Sequence, residues 1–78
     1  MKDLTYKGKK ITDTFQYQIF HDRGSAMQFC LNEMEWNEDK ILDRTEIVSF
    51  KIETGEIINA ELSCLVVDTG SEDYIYYL

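Results

Sequence analysis

His21 is the only histidine of this 78-residue chain, so any imidazole acid–base or metal chemistry must run through it. Asp22 and Arg23 follow it, and Cys30 lies nine residues on, which sketches a Cys–His pair beside a carboxylate and a guanidinium. A nucleophile of that kind needs a base within hydrogen-bond reach and a third group to orient it. Linear spacing supplies neither, so His21 reads as a solvated loop residue and no enzyme is expected. Residues 68–73 (DTGSED) gather three carboxylates and two hydroxyls. That oxygen density suits a hard cation, but the EF-hand spacing and its distal Glu are absent. An acidic turn is expected there, with no metal and no cofactor. Cys30 and Cys64 have no metal-ligand spacing and fall on apolar faces, where a free cysteine acts as a small buried hydrophobe. The four glycines are scattered and form no phosphate loop.

Charge is the most informative feature. Fifteen acids against eight bases give a net charge of −7. Lys2, Lys7, Lys9 and Lys10 crowd the start of the chain, whereas residues 53–73 carry Glu53, Glu56, Glu61, Asp68, Glu72 and Asp73 without a base. Glu35, Glu38, Asp39 and Asp43 precede them, with Lys40 and Arg44 as the nearby cations. Tyr74, Tyr76 and Tyr77 have the π-faces of a base-stacking platform, yet phosphate binding rests on Lys and Arg, so direct nucleic-acid binding is not expected. These carboxylates, with Trp36 as an aromatic anchor, are expected to dock on a basic protein surface such as the nucleic-acid groove of another protein. The plainer reading of the same charge is solubility. In size and acidity, though in no motif, the chain resembles phage- and plasmid-encoded inhibitors of defence systems, including anti-CRISPR and anti-restriction proteins that imitate DNA. That resemblance implies a DNA-mimicking inhibitor from a phage or mobile element.

The elements that would position these groups follow from hydrophobic periodicity. Residues 46–68 read as a β-hairpin around Glu53-Thr54-Gly55. A two-residue Thr54-Gly55 turn sets Phe50 against Asn59, whereas a three-residue loop with a left-handed Gly55 sets Phe50 against Ile58 and Val48 against Ala60. The second keeps the apolar rows together and is expected. Before it, residues 4–6 and 11–20 read as strands around a turn at residues 7–10. The row Ile11, Phe15, Tyr17, Ile19 faces inward, and Asp13 interrupts it. Ser25-Ala26-Met27-Gln28 matches a capping box, predicting a helix that buries Ala26, Met27, Cys30, Leu31 and Met34 and ends near Trp36 or continues to Asp43. Residues 74–78 form a last strand.

The sum is a single α+β domain, a small twisted and mostly antiparallel sheet in the order β-β-α-β-β-β with one helix across one face. A second class of function follows from that sheet: its edges, residues 4–6 or 74–78, would pair with another chain as an assembly module or homodimer, with Trp36 and the tyrosines as anchors. No apolar run approaches the roughly 18 residues of a membrane span. The N-terminus meets charge again at Lys7, unlike a signal peptide, so a cytoplasmic protein is expected.

Overall fold

The computed structural model describes residues 4–68 and 72–78. Its backbone is organised by one long hairpin. Strand β4 (Ile41–Ile52) and strand β5 (Ile57–Val67) pair antiparallel in the register the three-residue loop demands, with Phe50 opposite Ile58 and Val48 opposite Ala60. The loop closes with the Gly55 N–H donating to the Ile52 carbonyl at 2.9 Å and the Ile52 N–H to the Glu56 carbonyl at 3.0 Å. Gly55 sits at φ 90, where a β-carbon would be strained.

Around the hairpin lie β1 (Thr5–Tyr6), β2 (Lys9–Asp13), β3 (Gln18–Phe20), helix α1 (Arg23–Asn32) and β6 (Ile75–Tyr77), with a 3-10 turn at Glu38–Lys40. The six strands form one sheet in the order β1-β2-β4-β5-β6-β3, antiparallel except for the β3–β6 pair, and α1 packs against β3, β5 and β6. The class is α+β, as the periodicity predicts.

Four details differ from that prediction. The expected strand 11–20 is two strands. The Asp13 carboxylate accepts the Phe15 N–H at 2.7 Å, Phe15 takes φ 55, and Tyr17 closes a turn onto the Thr14 carbonyl. Asp13 is therefore a turn former, and Phe15, expected inside, is 48% exposed. The helix begins earlier than a Ser25 cap would allow, because Asp22 is the N-cap and accepts the Ser25 N–H at 2.7 Å. It reaches neither Trp36 nor Asp43: Glu35 turns left-handed at φ 56, and the Trp36 N–H donates back to the Cys30 carbonyl. Finally, β6 is an inner strand between β5 and β3, so residues 74–78 are not a sheet edge.

Apolar side chains fill both faces of the sheet. The even-numbered residues of β4 and β5 put Val48, Phe50, Leu62 and Cys64 in one cluster, which runs from Ile11 on β2 to Ile19 on β3. The cluster passes from strand to strand across that face, through β4, β5 and β6. Leu4, Tyr6, Tyr17, Tyr74 and Leu78 pack over that face. On the other face α1 lays Ala26 and Cys30 on Leu65 and Ile75. The run Cys64-Leu65-Val66-Val67 is buried on both sides, which is why it lacks alternation.

The left-handed residue after α1 gives a direct test of this chain path. Glu35→Gly removes a β-carbon from a conformation that only glycine adopts freely, and is expected to add about 0.5–1 kcal/mol of stability. A urea midpoint unchanged or lowered would contradict that backbone geometry.

Candidate functional site

Three of the residues that sketched a Cys–His centre, Asp22, Arg23 and Cys30, have separate structural roles. Asp22 caps the helix. Arg23 holds Asp43 through two bonds, Nε to Oδ1 at 3.1 Å and Nη2 to Oδ2 at 3.0 Å, and the Tyr77 hydroxyl donates to the same Oδ1 at 3.2 Å. The hydrogen bond from Arg23 lowers the pKa of Asp43. Cys30 is fully buried under the helix, and burial pushes its thiol up to about 11, opposite to what a nucleophile needs. Burial also raises Cys64, with Glu46 adding to it. Among the described residues no three His, Cys, Asp or Glu side chains converge as a metal site. Of residues 68–73, weighed above as a cation loop, Thr69, Gly70 and Ser71 lie outside the described residues.

The carboxylates predicted to act together divide between the two ends of the hairpin. Glu53 and Glu56 sit at its tip, where the Glu53 N–H donates to the Lys10 carbonyl and Lys9 and Lys51 are near in the ladder. Asp68 comes directly after the eleven-residue β5, which spans about 35 Å at roughly 3.3 Å per residue. Glu61 lies midway, opposite Ile47. Asp43 is held by Arg23 and is no free acceptor. An acidic run continuous in sequence is thus drawn out along a strand.

What the fold does gather is the other end. The Asp68 N–H donates to the Lys40 carbonyl at 2.7 Å, which brings the end of β5 to the 3-10 turn carrying Glu38 and Asp39. Glu72 and Asp73 line a cavity of about 460 Å³ together with Met34, next to Glu35. Glu35, Glu38, Asp39, Asp68, Glu72 and Asp73 are all exposed, and Lys40 is the base among them. Trp36 is half-buried, packed against the cluster of Ala26, Cys30, Leu65 and Ile75 where the chain leaves the helix.

The same cavity adds residues that periodicity misses. Tyr17, Phe29, Tyr74 and Tyr76 wall it, with Gln16 and Gln18 at its rim. Tyr17 and Tyr74 both meet Tyr76 edge-on, at ring centroid distances of 5.5 Å and 6.2 Å. The parallel β3–β6 pairing brings Tyr17 to Tyr76, and no local pattern announces that contact. Aromatic faces next to carboxylates suit a cationic side chain, and Arg44 of this chain already lies 5.9 Å from the Tyr74 ring.

No protein-family model, curated protein or solved structure matches this chain. No helix among the described residues is long and apolar enough to cross a membrane.

Proposed function

We propose that this is a non-catalytic binding domain that docks its acidic end on a basic protein surface and thereby inhibits or regulates that protein. What carries the reading is that Asp68 meets the 3-10 turn of Glu38 and Asp39 at Lys40, and that Glu72 and Asp73 line one cavity with Met34, the neighbour of Glu35. The tyrosine-walled cavity at that end offers a seat for one lysine or arginine of the partner. A nucleic-acid groove is a basic surface of the right kind, and this is where the likeness to DNA-imitating inhibitors of phages and mobile elements belongs. Cytoplasmic action on such a target is part of the same proposal.

Titration of the protein with a short oligolysine peptide, followed by backbone NMR shifts, tests it. Shifts are expected at residues 35–40, 68 and 72–76, and affinity is expected to fall at least about tenfold between roughly 0.05 and 0.5 M salt. Reversing Glu38, Asp39 and Glu72 to lysine should abolish the response, whereas Glu53→Lys with Glu56→Lys should leave it. Shifts confined to the hairpin tip, or affinity indifferent to salt, would overturn the reading. A pull-down at low and high salt then identifies the natural partner.

A further inference from the structure

Strand β4 is paired with β5 along almost its whole length, but on its other side β2 meets it only at Lys51 and Ile52. The cause is a bulge. Ile11 pairs with Ile52 and Asp13 with Lys51, so Thr12 is an extra residue, and such an insertion bends the strand that carries it. Past Asp13 the chain turns away through Phe15, and no described strand pairs with residues 41–50 on that side.

The direction of the backbone groups follows from the hairpin. Ile52 exchanges bonds with the β5 side through Glu56 and Gly55, so the even-numbered residues of β4 aim their N–H and C=O at β5. The odd-numbered ones, Asp43, Thr45, Ile47 and Ser49, aim theirs at the open side. Glu53, also odd, bonds to Lys10 on that side. The side chains there are exposed as well: Ile47 is 70% and Leu42 45% accessible, large values for apolar residues. A long open edge of this kind is a template for another strand.

We infer that β4 pairs antiparallel with β4 of a second copy of this chain, about a two-fold axis through Thr45, joining two six-stranded sheets into one. The sequence along the edge selects that occupant and that register. With the axis at Thr45, Arg44 lies opposite Glu46 of the partner copy and Glu46 opposite Arg44, two complementary pairs at a non-hydrogen-bonded position, where side chains come closest. Arg44 and Glu46 already meet at 3.6 Å within one chain, so the four charges alternate in a square. Leu42 falls opposite Val48. Thr45 meets Thr45 with outward N–H and C=O on both strands, as a hydrogen-bonded pair requires. Other axes fail. Centring on Glu46 or Arg44 sets like charges face to face, and centring on Asp43 opposes two carboxylates. Centring on Ile47 sets Asp43 against Lys51, whose outer side β2 already occupies. This interface lies along the side of the sheet and does not depend on the acidic end.

Sedimentation of the full chain up to about 1 mM tests the pairing, with a dissociation constant on the order of 10–100 μM expected for so narrow an interface. Thr45→Pro removes an amide that serves the open side and not β5, so it should leave a folded monomer with an unchanged urea midpoint. Arg44→Glu alone and Glu46→Arg alone should each weaken self-association at least tenfold. Mixed together they should form a heterodimer, and the double variant Arg44→Glu with Glu46→Arg should dimerise again. A wild-type chain that stays monomeric at about 1 mM, a Thr45→Pro protein that still dimerises, or single variants that do not associate on mixing would each overturn the pairing.

Discussion

Replacing Phe50 with alanine is expected to remove about half of the protein's stability. Phe50 is completely buried, belongs with Val48 and Ile52 to the cluster on one face of the sheet, and meets the Tyr6 ring edge-on with centroids 5.1 Å apart. Removing a buried phenyl group costs about 3–5 kcal/mol, because the lost transfer free energy is joined by a cavity that neighbours fill only in part. Collapse around the gap is restricted here. Its walls are β-strands held in register by the β4–β5 ladder, and β1 is only two residues long. A domain of this length has a total stability of about 4–10 kcal/mol, so one substitution removes about half of it. Ile47→Ala is the matched control: Ile47 is on the same strand but mostly exposed, and its loss should cost no more than about 0.5 kcal/mol. Urea unfolding followed by circular dichroism measures both. Should Phe50→Ala lose less than about 1 kcal/mol, that face is not the core that its burial indicates.

That contrast between Phe50 and Ile47 also shows what periodicity reveals. Along residues 46–58 each side chain has one neighbour of fixed identity across the hairpin, so alternation and a three-residue loop suffice to pair Phe50 with Ile58. The same arithmetic fails for Ile41 to Thr45, the start of β4. Asp43, Arg44 and Thr45 are exposed on both faces there, and a strand with two wet faces has no period. It fails again at Phe15, whose place in an apolar row is overruled by the Asp13 turn one step before it. The Ser25 cap expected from the capping box is displaced for a chemical reason. Asp22 and Ser25 are both good caps, and the earlier one takes the later one's amide. The parallel pairing of β3 with β6 joins residues more than fifty positions apart, and nothing local encodes it. The candidate site inherits these limits: the acidic stretch was legible as charge, but β5 had to be placed before its two ends could be told apart.

Raising the pH should unfold the wild-type protein in the range of about 9–12, well before backbone or arginine chemistry intervenes. Three buried groups drive this. Burial lifts the Cys30 thiol to about 11 and, with help from the neighbouring Cys64 and Tyr17, the Tyr76 phenol to about 12. Cys64 is raised as well, first by burial and then by Glu46. In the unfolded chain thiols ionise near 8.5 and the phenol near 10. The folded state therefore holds protons that the unfolded state gives up. The stability linked to each group is complete below its unfolded pKa and is lost as the pH climbs through the folded one. For Cys30 that window is about 9–11 and for Tyr76 about 10–12. Two pKa units correspond to about 2–3 kcal/mol per group, so together they approach the stability of the whole domain. Cys30→Ala combined with Tyr76→Phe removes both proton donors at little cost in volume, and its alkaline midpoint should lie at least about one pH unit higher. The same burial shields the thiols. At about pH 8 an aromatic disulfide reagent should react with Cys30 and Cys64 on the order of 1,000 times more slowly than in urea, because attack must wait for the sheet to open. Equal alkaline midpoints for the wild type and the double variant, or thiols that react in the folded protein as fast as in urea, would mean that the helix does not seal Cys30 against the sheet.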